Sequence, residues 1–354
     1  MRVQGQKSEL LYSHFMKQKK YLLSIDGGGI KGIIPISALV QLEQTTGKLA
    51  RDSFSFVAGT STGAIIAAAV AAGIPARILL DSYIHLSTEL FRFNAITGIK
   101  RFFFGYKYST QQLHDLIAQQ LGEFSNWTLN DSPIDLLISA KRVKDGMPWY
   151  FVKDNPKNSK RTGSLPLVDC VTASASAPTV FYPWTIPEDV SSLPPGIDPV
   201  GTLTDGGVGI AGNPVYQACV EAFYYHDSYT PEHTTIVSLG TGHFQKESMP
   251  TWLMSWLTWV LEELLHSSGE QQTEIVYRHF SQVPFFRMDP DLKLFDPTLS
   301  EPIVLDDVSQ VGRLVHIGKK FAQQIDWKKV LGGDDMEFKI DHQNTMWQQY
   351  KWPR

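Results

Sequence analysis

The stretch Phe54-Ser55-Phe56-Val57-Ala58-Gly59-Thr60-Ser61-Thr62-Gly63 runs from a strand-like segment, Phe54 to Val57, into the small apolar residues Ala64 to Ala72. A serine between two glycines at a strand-to-helix turn has the pattern of a nucleophile elbow. The glycines permit a sharp turn that exposes the hydroxyl, and the following helix directs its positive N-terminus at it. The pattern predicts a serine hydrolase with Ser61 as nucleophile and Gly59 and Gly63 as supports of the turn. Gly-x-Ser-x-Gly is short enough to recur by chance, so its weight depends on its neighbours.

Upstream, Tyr21 to Ile25 reads as a buried strand that leads into Asp26-Gly27-Gly28-Gly29-Ile30-Lys31-Gly32 and then a helical segment, Ile36 to Glu43. Three consecutive glycines leave their N–H groups uncovered, free to converge on an anion at a helix start. The loop can be a phosphate cradle, an oxyanion hole or a tight turn, and Gly27-x-Gly29-x-x-Gly32 also satisfies a dinucleotide-binding fingerprint. That fingerprint expects an acidic residue ending a second strand about 20 residues on. Here Asp52 stands before a strand instead. Downstream, Val200 to Thr204 reads as a short strand ending in Asp205-Gly206-Gly207. A carboxylate at a strand end beside small residues can accept a serine proton, although Asp-Gly is also an ordinary turn signal. Together the three segments supply a nucleophile, a base and an anion cradle, each placed on an expected parallel-sheet strand.

These motifs resemble those of patatin-like phospholipases: Asp-Gly-Gly-Gly-x-x-Gly at 26 to 32, Gly-Thr-Ser-Thr-Gly at 59 to 63 and Asp-Gly-Gly at 205 to 207, in the family's order. Two further landmarks fit, Ala173-Ser174-Ala175-Ser176-Ala177-Pro178-Thr179-Val180-Phe181-Tyr182-Pro183 and Ser238-Leu239-Gly240-Thr241-Gly242. The resemblance spans about residues 20 to 243, and Lys31 stands where the family more often has arginine. It implies an α/β, three-layer patatin-like fold with a mainly parallel central sheet and helices on both faces. It also implies a Ser61–Asp205 dyad without a catalytic histidine, and N–H groups of Gly27, Gly28 and Gly29 as oxyanion donors. Gly32, Gly59, Gly63 and Gly206 support the motifs. A free aspartate is a poor base at neutral pH, so Asp205 is expected partly buried and in a short hydrogen bond to Ser61.

The implied substrate is a membrane phospholipid, reached by peripheral membrane contact, with no cofactor and no metal. The Lys31 variant and compact size further resemble bacterial patatin-like effectors switched on by a cyclic dinucleotide in antiphage defence, which makes such a nucleotide an expected activator. Two other readings compete. A Ser-acid-His triad has candidates in His226, His233, His243, His266, His279, His316 and His342, none in a recognisable loop context. A sugar-kinase-like phosphotransferase would use Asp26 to Gly29 and Gly240 to Gly242 as phosphate cradles, but leaves Ser61 without a role.

The chain has 354 residues, 43% of them apolar, and a formal charge of −4, which argues against a nucleic-acid partner. Two cysteines, Cys170 and Cys219, exclude a disulfide framework and suggest a reducing compartment. Lys7, Lys17, Lys19 and Lys20 precede no apolar core of signal-peptide length, so a cytoplasmic enzyme acting at the inner face of the membrane is expected. Ile99 to Tyr108 mixes basic and aromatic residues as an interfacial loop does, and Trp252, Trp256 and Trp259 share one helical face suited to a core or subunit contact. Pro183 to Pro199 reads as a surface loop or lid. The expected organisation is a basic segment over 1–20, a catalytic domain over 21–243 and a helical extension over 244–354 that packs on or regulates it. No acidic cluster has calcium-loop spacing, so activity is expected to survive a chelator.

Overall fold

The computed structural model describes residues 19–91, 105–158, 160–188, 199–209, 211–244 and 269–332, with isolated positions at 251, 256 and 260. Several expectations therefore lie outside the described residues: most of the basic N-terminus, residues 99–104, residues 189–198 of the Pro-rich loop, Trp252 and Trp259, His266, and the tail with His342. Trp256 is described and exposed, which a core position would not allow.

Eight strands form one sheet: β1 (Lys20–Ile25), β2 (Phe56–Thr60), β3 (Asp135–Arg142), β4 (Pro148–Val152), β5 (Trp184–Thr185), β6 (Thr202–Asp205), β7 (Thr234–Leu239) and β8 (Phe285–Met288). Their order is β5-β6-β3-β2-β1-β7-β8, with β4 also paired to β3. Five consecutive strands, β3, β2, β1, β7 and β8, are parallel. Buried parallel strands read as apolar runs whose alternate residues serve opposite faces. Leu23, Ile25, Val57, Ile138 and Val237 join one core, under the helices Ile33–Thr46, Thr62–Ala72, Ala76–Leu90 and Leu167–Ala175. Leu22, Phe56, Ala58, Leu137 and Ile236 face the other, under the helix Val215–Tyr224 and residues Val276 to Phe285. The result is the three-layer arrangement of helix, sheet and helix.

One expectation is corrected. Asp205 does not end a parallel strand: β6 runs antiparallel to both β3 and β5. A chain that folds back on a neighbouring strand needs no helical crossover. Beyond residue 243 the described chain adds to the same sheet and core. β8 extends the sheet beside β7, and Leu292, Leu314, Ile317, Phe321 and Trp327 belong to the same core as β1 and β2. Helix Val311–Ala322 lies so close on Ile33–Thr46 that a Cβ at Gly318 would stand 2.7 Å from the Ser37 hydroxyl oxygen.

The strand register sets the level of the site. Thr60 pairs with Ser139, and the next residue of β3, Ala140, pairs with Asp205. Position 61 thus emerges at the height of Asp205, two strands away across β3.

Candidate active site

Ser61 caps the helix Thr62–Ala72, and every residue of that helix is buried. A helix without a polar face owes its stability to packing between sheet and helices, which fixes its N-terminus rigidly. The strand-to-helix turn is so tight that a Cβ at Gly59 would stand 2.1 Å from the Gly63 carbonyl oxygen, and one at Gly63 would stand 2.2 Å from that of Ile25. Ser61 itself adopts φ 55° and ψ −123°, a conformation that costs a non-glycine residue about 1–3 kcal/mol. Its N–H donates to the Ser174 hydroxyl at 2.8 Å, which anchors the strained peptide from the helix Leu167–Ala175.

The Ser61 hydroxyl donates to Asp205 Oδ2 at 2.6 Å. Asp205 is 3% exposed, and its second carboxylate oxygen accepts the Gly207 N–H at 2.7 Å. Burial pushes its pKa up to about 6, while the bonds from Ser61 and Gly207 pull it down. The carboxylate is ionised at neutral pH yet far more basic than a free aspartate. Gly206 leaves room for the turn, since a Cβ there would stand 2.4 Å from the Ser139 hydroxyl oxygen.

The glycine loop faces the pair from the end of β1. Its carbonyls are all occupied: that of Gly27 by the Thr241 hydroxyl at 2.9 Å, that of Gly28 by the Lys31 N–H, and that of Gly29 by the hydroxyls of Thr62 and Tyr83. The N–H groups divide differently. Gly27 donates to the Gly212 carbonyl at 3.0 Å, so the expectation of three free donors is corrected to two. Among the described residues the N–H groups of Gly28 and Gly29 donate to no protein acceptor, and both glycines border the cavity that holds Ser61. Gly29 has φ +57°, and a Cβ on it would stand 2.2 Å from the Leu305 carbonyl oxygen. Gly32 opens the helix beyond, where a Cβ would stand 2.2 Å from the Thr62 methyl carbon.

The cavity beside Ser61 is lined by Ile65, Leu86, Leu90, Phe91, Val180 and Phe181. Ser61 and Asp205 lie at its polar end. Leu305 and Asp306 also border it. Asp306 is held there by Lys107 and by the Tyr108 hydroxyl at 3.1 Å, so the described end of the basic aromatic stretch braces a residue that borders this cavity.

No described histidine bonds to Ser61 or Asp205. His226 contacts Asp135 and His243 contacts Asp289, so the triad reading finds no described partner for the serine. Sequence reasoning missed Thr241 and Ser174 as individuals, although both stand in segments that carry the family resemblance. It also missed Asn213, which bonds Ser24, Ser238 and Thr273 beneath the loop, and Arg287, which grips Asp26. No motif marks these two. Among the described residues no cluster of His, Cys, Asp or Glu has metal-site geometry, and no helix is long and apolar enough to cross a membrane.

The chain is similar to the cGAMP-activated phospholipase of Vibrio cholerae, with 30% identity over 60% of each chain. It is 28% identical to the Escherichia coli protein of that name over 58% of this chain and 57% of the relative. It therefore spans about 60% of the length of these relatives. It is also 25% identical to the rat 85/88 kDa calcium-independent phospholipase A2 over 63% of this chain and 27% of the relative. Among solved structures, human GIVD cytosolic phospholipase A2 aligns with a TM-score of 0.49 at 10% identity, over 89% of this chain and 60% of that one. A family model described as patatin-like phospholipase matches residues 23–219, more than half the chain and inclusive of Ser61 and Asp205. The chain belongs to the patatin-like phospholipase family.

Proposed function

We propose that the protein is a lipid acyl hydrolase of the phospholipase A type, cleaving fatty-acyl esters of membrane glycerophospholipids with Ser61 and Asp205. The observation that carries this reading is the 2.6 Å bond from a strained, half-buried serine to a buried aspartate at the polar end of an apolar cavity. Asp205 takes the proton of Ser61 as Oγ attacks the ester carbonyl. The Gly28 and Gly29 N–H groups hold the negative charge that forms on the carbonyl oxygen. Asp205 then passes the proton to the departing alkoxide, which leaves as a lysophospholipid, and the acyl group remains on Ser61. A water, deprotonated by Asp205, attacks the acyl-serine, the Ser61 oxygen recovers its proton and the fatty acid is released. The apolar cavity receives the acyl chain.

The enzyme acts from the cytoplasm as a peripheral visitor at the inner face of the membrane. The relatives named cGAMP-activated phospholipases support a cyclic dinucleotide as its activator, and we infer a role in antiphage defence. The test is fatty-acid release from phosphatidylglycerol–phosphatidylethanolamine vesicles, with and without 3′,3′-cGAMP. Expected are release that requires the nucleotide and its loss in Ser61→Ala. Release unaffected by that substitution would overturn the dyad, and equal release without nucleotide would overturn the activation. A fluorophosphonate probe should label the native chain and not Ser61→Ala.

A further inference from the structure

The reaction uses Ser61, Asp205 and two peptide N–H groups, but a buried charge network lies directly behind those peptides. Its centre is Arg287 on β8. Across three strands Ser24 pairs with Ser238 and Ser238 with Arg287, so the three side chains form a row. Arg287 forks onto Asp26, with Nη1 donating to Oδ1 at 3.0 Å and Nη2 to Oδ2 at 2.7 Å. Nη1 also donates to the Ser238 hydroxyl oxygen, and Nη2 lies 3.6 Å from Asp289 Oδ2. Asp26 immediately precedes Gly27.

Asp289 works on the same loop from the other side. Its Oδ1 accepts the Gly242 N–H at 2.8 Å, and its Oδ2 lies 3.1 Å from His243 Nδ1. Gly240 admits this carboxylate, since a Cβ there would stand 1.9 Å from Oδ1. Against the upward push of burial, Arg287 and His243 hold Asp289 well below the usual carboxylate range. The turn thus fixed carries Thr241, whose hydroxyl donates to the Gly27 carbonyl. One guanidinium therefore holds the residue before the glycine loop and the carboxylate that sets the clasp on its first carbonyl.

We propose that Arg287 is a positioning residue: by gripping Asp26 and Asp289 together it sets, with the Thr241 hydroxyl, the direction of the Gly28 and Gly29 N–H groups. A network of buried charges adds little net stability relative to apolar residues of similar volume. Its effect here is orientation. A peptide rotated or moved by about 1 Å at a reacting centre costs on the order of 10²-fold in rate. The inference rests on the acyl-hydrolase reading for its kinetic consequence, but not for its structural one.

The test uses two variants of the full chain, Thr241→Val and the double replacement Asp26→Asn/Arg287→Met. The first is close to isosteric. The second removes a cation and an anion together and leaves Asp289 its partner His243, so neither strands an unpaired buried charge. Thermal unfolding, ester hydrolysis and amide hydrogen exchange of the segment 21–34 are measured on each. Expected are melting temperatures near the native value, exchange of the glycine loop faster by about tenfold or more, and kcat lower by roughly 10²-fold with KM within about twofold. Arg287→Met alone should lose thermal stability as well, and restoring the charge balance with Asp26→Asn should recover stability without recovering kcat. Native exchange and native kcat in folded Thr241→Val or in the folded double variant would overturn the proposal. Joint recovery of stability and kcat in the double variant would do the same, since the network would then be merely structural. A native chain without Ser61-dependent hydrolysis would refute the acyl-hydrolase reading, while hydrogen exchange would still decide the positioning claim.

Discussion

A half-buried carboxylate and a buried one mark opposite ends of the sheet, and the one with the more suggestive neighbours is not the one beside Ser61. At the start of β3, Asp135 lies 3.2 Å from His226 Nε2 and 2.5 Å from the Tyr229 hydroxyl, a set of residue types that looks catalytic. Yet His226 Nδ1 accepts the Ser228 N–H, Tyr229 also reaches the Ser55 carbonyl, and none of the three borders the cavity that holds Ser61. Against the push of burial, His226 and Tyr229 hold the Asp135 pKa below the usual range. At the other end Asp205 has one hydroxyl and one N–H, is raised to about 6, and faces a cavity bordered by uncommitted N–H groups. Satisfied polar groups stabilise, whereas strain, a perturbed base and unused donors around an opening leave chemistry to be done.

The sharpest way to break this contrast is to replace members of both sets. Ser61→Ala should reduce fatty-acid release by about 10⁴-fold or more, and Asp205→Asn by roughly 10²- to 10⁴-fold, the range of a lost general base. His226→Gln should leave kcat within about twofold, as expected for a residue far from the reacting atoms. A large loss in His226→Gln would bring the triad reading back. Next in size is Gly29→Ala, which puts a methyl group against the Leu305 carbonyl at a positive φ. Displacing one N–H from the oxyanion should lower kcat by on the order of 10²-fold. Steady-state kinetics with an undisturbed circular dichroism spectrum would separate this effect from unfolding.

The pH profile tests the base itself. In the proposed mechanism ionised Asp205 is the reactive form, so kcat/KM should rise about tenfold per pH unit up to about 6 and level off above it. His226→Gln should not move that inflection. A break near 7 that vanishes on replacing a histidine would place the base elsewhere.

Much of this site was legible before any coordinates, because its constraints are local. Gly59, Ser61 and Gly63 are set by a tight turn, and Gly28, Gly29 and Gly32 by positions where a Cβ would stand 2.2 Å from a neighbouring atom. The strands read over Tyr21 to Ile25, Phe54 to Val57 and Val200 to Thr204, and the buried helix after Ser61, are present with ends displaced by a few residues. The strand over Phe54 to Val57 begins instead at Phe56, since Phe54 closes the short helix Ala50–Ser53. What could not be read was pairing. The antiparallel direction of β6 depends on a neighbour in space, as do the loss of the Gly27 donor to Gly212 and the grip of Arg287 on a residue 261 positions earlier. No local pattern announces a contact of that separation.

The smallest predicted effect is also the most discriminating, because its sign differs between the two carboxylates. Asp205 has a raised pKa in the folded chain, so its ionisation opposes folding: the contribution is fully favourable below its unfolded value of about 3.8 and is lost as pH rises through about 6. Asp205→Asn should therefore stabilise the protein at neutral pH while removing activity. Asp135 has a depressed pKa, so its bonds favour folding above the unfolded value and the benefit is lost as pH falls through the folded one. Tyr229→Phe, which removes one donor to that carboxylate, should cost about 1–3 kcal/mol at neutral pH. The cost should shrink in acid, with kcat unchanged. Urea unfolding of both variants at pH 7 and in acid well below the unfolded value of about 3.8 measures this directly. Equal signs would mean that the two ends of the sheet do not differ in kind, and the inference from strain and burial to function would lose its basis.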